Sequence, residues 1–91
     1  MNVVVAPVGD LFDGPGEIRR LCRQLDWAGT PLGPVQAWSP VLRSTVQLCL
    51  DSGFPILLNW GPELVGVYND AFAPLIGGNH PRALGRPSRD V

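Results

Sequence analysis

The chain has 91 residues with seven arginines, no lysine and eight acidic residues, so its formal net charge is −1. That length holds one small domain at most and excludes a multidomain enzyme. A globular chain of this size buries only about 60–65% of the surface its unfolded form exposes. Eleven glycines and ten prolines stand between apolar stretches in a chain that is 45% hydrophobic, the texture of a folded, turn-rich segment rather than a low-complexity one. The near-neutral balance provides no basic footprint for nucleic acid and no polybasic patch for an anionic membrane. MNVVVAPVGD lacks a cationic start and a long enough apolar run for a signal peptide or a membrane span, so a cytoplasmic location is expected.

In chain order, residues 1–15 show no sustained period and are expected to form a loose arm. From Pro15 to Trp27 the apolar residues Ile18, Leu21, Cys22 and Leu25 recur at helical spacing, with Arg19, Arg20, Arg23 and Gln24 on the other face. This predicts an amphipathic helix stopped by GTPLGP. Its stripe is also the feature a partner helix or a second copy would use, should the chain be an interaction or dimerisation protein. Ser39 as N-cap and Pro40 at the first helical position announce a second helix, more buried than the first and ended by a left-handed Gly53.

After Gly53 the texture becomes β-prone. FPILLNW and LVGVYN flank Gly61, Pro62 and Glu63, which predicts a hairpin with Glu63 solvated in the turn. Gly66 inside the second run marks a bulge or a close backbone approach. Asp70 is expected to cap a short helix over AFAPLIG, followed by a turn from Pro81 to Leu84 closed by Gly85. Ser88 begins a further helix. The organisation is thus an arm over 1–15, a helical segment over 16–53 and a hairpin with short helices over 54–91. The fold class is α+β.

Little in the chain carries catalytic chemistry. No nucleotide-cradling glycine loop and no metalloprotease motif is present, and no cofactor is expected. His80, between Asn79 and Pro81, is the one histidine; its ring is expected to bond a nearby carbonyl or carboxylate rather than to catalyse. Asp51 and Asp70 are read as structural. Cys22 and Cys49 sit in apolar periodic stretches and are expected to be reduced packing residues. Trp27, Trp38 and Trp60 each stand where an element meets a loop and are expected to staple the helices to the hairpin.

Five ordered blocks carry further information: DW with TPLGP (Asp26, Trp27, Thr30 to Pro34), AWSPVLRSTV (Ala37 to Val46), FPILLNWGPEL (Phe54 to Leu64), YNDAF (Tyr68 to Phe72) and HPRALGRP (His80 to Pro87). Together, over about residues 16 to 91, they resemble the N-terminal PAS-like region of bacterial sensor histidine kinases. The resemblance implies that the hairpin and the short helices open a PAS fold, with its last three strands beyond this segment. It further implies a sensory role upstream of a kinase in a two-component phosphorelay, or of a diguanylate cyclase or serine phosphatase, with no catalysis in this chain. Expected partners are the downstream kinase domain of the same polypeptide, a second copy and, in a completed fold, a small-molecule ligand. Leu58, Trp60, Val67, Tyr68, Phe72, Leu75 and Ile76 are the expected pocket lining.

Overall fold

The computed structural model describes residues 11–91. Its architecture is α+β: helices α1 (Glu17–Gln24) and α2 (Pro40–Asp51) precede an antiparallel hairpin of β1 (Leu57–Trp60) and β2 (Val65–Tyr68). Single 3-10 turns lie at Trp27–Gly29, Val35–Ala37 and Ser88–Asp90, with a longer kinked 3-10 stretch at Ala73–Asn79.

The stripe predicted on the first helix forms, but over a shorter span. Ile18 and Cys22 are buried and Leu21 and Leu25 pack against the core, so this face is occupied within the chain. On the opposite face Arg19 is not a solvated residue. Its guanidinium donates to the Leu50 carbonyl at 3.0 Å and pairs with Asp51, joining α1 to the C-terminus of α2. Arg23 donates to the Phe12 carbonyl at 2.5 Å. The expected arm falls in two parts: residues 1–10 lie outside the described residues, and Leu11 and Phe12 are buried in the core. Phe12 stacks on Trp27 at 6.0 Å, and Trp27 meets Trp38 edge-on at 5.1 Å. Such ring pairs add about 0.5–1.5 kcal/mol each beyond their buried area. The two indoles donate to the Cys22 and Gly33 carbonyls, so neither ring N–H is left unpaired. Trp60 packs partly buried against the same core.

Ser39 caps α2 as expected, accepting from the Leu42 N–H at 3.1 Å with Pro40 at the first position. The predicted left-handed stop at Gly53 is absent; α2 ends in an extended Ser52. The reason is tertiary. The last carbonyls of α2 receive donors from Arg19 and Asn69, so no glycine-based cap is needed to satisfy them. Nor is α2 apolar all round in use: Leu42, Val46, Cys49 and Leu50 are buried, whereas Val41 and Leu48 are 65% and 70% exposed.

Register places Leu58 opposite Val67 and Trp60 opposite Val65 on one face of the hairpin, and Leu57 opposite Tyr68 and Asn59 opposite Gly66 on the other. Every residue of β2 is buried. Its outer edge is covered by the Gly85–Ser88 segment: the Gly66 N–H donates to the Arg86 carbonyl (3.0 Å), Gly85 to Gly66 (2.8 Å) and Ser88 to Leu64 (3.0 Å). The close backbone approach expected at Gly66 is thus present. Gly85 makes it possible, with φ +77 at a place where a Cβ would stand 3.0 Å from Leu25. The Ser88–Asp90 turn is a single 3-10 turn without a side-chain cap. Glu63, expected to be solvated, pairs with Arg89 at the surface, a contact worth under about 1 kcal/mol.

Asp70 does not cap the short helical stretch after it. Its carboxylate reaches back 52 residues and accepts the Ile18 N–H at 3.0 Å, capping α1 in place of Gly16, which has no side chain to do so. A Cβ on Gly16 would stand 2.4 Å from Asp70 Oδ2, and Gly16 has φ +105. Asp70→Ala is expected to cost about 1 kcal/mol, the usual worth of an N-cap. Gly16→Ala combines that displacement with backbone strain of about 1–3 kcal/mol and should cost more. Urea midpoints rank the two variants, and equal midpoints would contradict the cap at Asp70.

Candidate functional site

The hairpin's two faces have different fates. One, carrying Leu58, Trp60, Val65 and Val67, lies on the helical core. The other is the floor of a concavity of about 180 Å³, walled by Leu57, Tyr68, Phe72 and Ile76, with Asn59, Asn79, Arg86 and Ser88 among its polar neighbours. Gly66 contributes no side chain to this floor. A Cβ there would make only ordinary contacts, the nearest at 3.5 Å from the Ala83 carbonyl, so its absence serves to leave space. A wider groove of about 550 Å³, between the Gly29–Pro31 loop and the Pro81–Pro87 segment, carries charges of both signs from Asp26, Arg82, Arg86 and Asp90.

Of the seven residues expected to line a pocket, Tyr68, Phe72 and Ile76 come together in the 180 Å³ concavity. Leu58, Trp60 and Val67 lie on the opposite face, and Leu75 is 67% exposed. A strand alternates faces every residue, so Val67 and Tyr68 cannot share a cavity wall.

Beside the concavity runs a chain of three side chains from three parts of the sequence. The Tyr68 hydroxyl lies 2.7 Å from His80 Nδ1, and His80 Nε2 bonds the Glu17 carboxylate. His80 thus does bond a carboxylate, and a buried phenol as well. Glu17 is also 3.9 Å from Arg20. Burial, reinforced by the Glu17 charge and by Cys22, pushes the Tyr68 phenol up to about 12, so it keeps its proton at any physiological pH.

Asn69 is the polar residue that sequence reasoning passed over. It is 1% exposed and stands directly after β2. Its Nδ2 lies within hydrogen-bond distance of the carbonyls of Cys49 (3.0 Å), Ser52 (3.3 Å) and Phe54 (2.7 Å). Its Oδ1 accepts from Ile56 (3.3 Å) and Phe72 (3.0 Å). Asn69, not Asp70, therefore starts the turn through Phe72 that leads into the 3-10 stretch carrying Ile76 to the concavity. The available signal was its position: an Asx residue at a strand end, three residues before Phe72, is a turn initiator.

Neither thiol is a nucleophile at neutral pH. Burial, together with nearby Cys49, pushes Cys22 up to about 12, and burial alone pushes Cys49 to about 11. Both are free and buried. Among the described residues no helix is long and apolar enough to cross a membrane, and no group of three His, Cys, Asp or Glu side chains could hold a metal ion. Comparison of the chain with family models, curated proteins and solved structures finds no match.

Proposed function

We propose that this chain is the first part of a PAS-like sensory module, cytoplasmic and itself without catalysis, that regulates a downstream histidine kinase in a two-component phosphorelay. The observation that carries the reading is the asymmetry of the hairpin. β2 is bonded on both edges and fully buried, whereas β1 is bonded to β2 alone among the described residues, with Leu57 43% exposed. An uncharged edge strand, FPILLNW, over a half-walled apolar concavity is a sheet prepared for more strands. A small molecule would be held in the completed cavity by apolar contact with Tyr68, Phe72 and Ile76.

The reading frame beyond Val91 tests this directly. Continuation into a helix, three strands and a phosphoacceptor-histidine motif supports it, and a stop codon there overturns it. In the extended protein the Leu57 and Asn59 amides should exchange with solvent at least about a hundredfold more slowly than in the 91-residue chain, the protection expected when an edge becomes interior.

A second reading, an interaction or dimerisation protein, is supported by Val41 and Leu48, seven residues apart on the outer face of α2 and both largely exposed. Sedimentation at micromolar concentration tests it. A monomer removes the second reading.

A further inference from the structure

We propose that His80 is a protonation-controlled switch between the hairpin and α1, accepting from the Tyr68 hydroxyl when neutral and donating to its oxygen when charged. The hydrogen-bond chain sets the neutral tautomer. Glu17 can only accept, so Nε2 carries the proton and Nδ1 presents its lone pair to the Tyr68 O–H. The reverse tautomer would face a lone pair against a carboxylate. On protonation a proton arrives at Nδ1, which becomes a donor toward the Tyr68 oxygen. Tyr68 keeps its own proton, and its O–H must turn about the C–O bond to another acceptor. At Nε2 a hydrogen bond to an anion becomes an ion pair.

Three features make His80 suited to this. Its side chain is 15% exposed, close enough to solvent to exchange a proton, while Tyr68 is fully buried and its raised phenol remains a donor throughout. The charged and titratable groups around it come from three parts of the chain. From α1 come Glu17, Arg20 at 3.9 Å from Glu17, and the buried, neutral Cys22; from the turn after β2 comes Asp70, bonded to the Ile18 N–H beside Glu17; from its own segment comes Arg82, already engaged with Asn79. Finally, the three linked residues belong to separate elements: Tyr68 in the concavity wall, His80 in the connection after Ala73–Asn79, and Glu17 in the first turn of α1. A proton gained at one ring is therefore read at two places. The switch does not depend on the sensory reading, since all of its parts lie in this chain.

The test is a pH titration followed by NMR, from about pH 8 to about pH 5, the span in which histidines ordinarily titrate. In the unmodified chain the His80 ring nitrogens, the Tyr68 ring and the amides of Ile18 to Leu21 are expected to shift with one midpoint. Glu17→Gln keeps an acceptor at Nε2 but removes the anion, and should abolish the response at the Ile18 to Leu21 amides while keeping the one at the Tyr68 ring. Tyr68→Phe should abolish the response in β2 and keep the one in α1. A Tyr68 ring that stays silent while His80 titrates overturns the proposal without any variant, and so does an unchanged α1 response in Glu17→Gln.

Discussion

Asn69→Leu is expected to remove the cooperative unfolding transition of this chain, or to lower its stability by about 3 kcal/mol or more. The side chain serves three carbonyls and two N–H groups, at 1% exposure, in the seam between the end of α2, the start of β1 and the start of the Ala73–Asn79 stretch. A buried group left without its partner costs about 1–3 kcal/mol, and a leucine strands several at once. A domain this small has only about 5–10 kcal/mol to lose. Asn69→Asp is the informative companion. It keeps an acceptor for Ile56 and Phe72 but turns a carboxylate toward the carbonyls of Cys49, Ser52 and Phe54, and should be no more stable than the leucine variant. Urea unfolding followed by tryptophan fluorescence reads both. An aspartate variant with the stability of the parent would mean that the amide donors contribute little.

Alkaline solution is expected to unfold the chain well before its arginines titrate. Cys22, Cys49 and Tyr68 have ordinary values of 9.0, 9.0 and 10.0 and are raised by burial to about 12, 11 and 12 in the fold. Each folded value lies above the unfolded one. Their contribution is thus fully present below about pH 9 and is lost as pH climbs through the folded values, because the unfolded chain releases protons that the folded chain retains. At about 1.4 kcal/mol per unit, the three together should cost on the order of 3–5 kcal/mol between about pH 8 and about pH 10.5. Urea midpoints across this range measure it. Cys22→Val should flatten the alkaline limb by removing one ionising thiol, and a midpoint unchanged up to about pH 10.5 would show that the buried groups ionise freely in the fold.

Both effects arise from polar atoms placed inside a thin core, and they differ in how visible they were. The two thiols were legible: at helical spacing among apolar residues, a cysteine is most simply a buried one. Asn69 was not. In a strand-end YND, either Asn or Asp can cap the next helical turn, and the choice depends on which of them has carbonyls above it. Here those carbonyls belong to the end of α2, so Asn69 turns inward and Asp70 is left to reach the first turn of α1. Asp51 and Arg19 illustrate the same limit. Asp51 was read as structural and Arg19 as part of the polar face of its helix, but nothing in the sequence paired them; the fold brings the first helix to the end of the second.

The concavity shows how face assignment fails when a strand is apolar on both sides. LLNW and VGVY carry large side chains on alternate and adjacent positions, so periodicity could not tell which set faces the helices. The expected lining therefore mixed the two faces. Register with Val65 and Val67, and the weight of the helical core against them, decided it.

By itself the sequence determined the local elements: two helices from their apolar spacing and the Ser39–Pro40 start, a hairpin from two β-prone runs around Gly61 and Pro62, and an α+β class from their order. These arise from interactions within a few residues along the chain. Tertiary structure alone decided how helix ends were satisfied, which hairpin face became the concavity, and that Tyr68, His80 and Glu17 form one hydrogen-bonded chain. Such partners lie 12 to 63 residues apart, and no periodicity in the sequence encodes which distant groups a folded backbone brings into hydrogen-bond range.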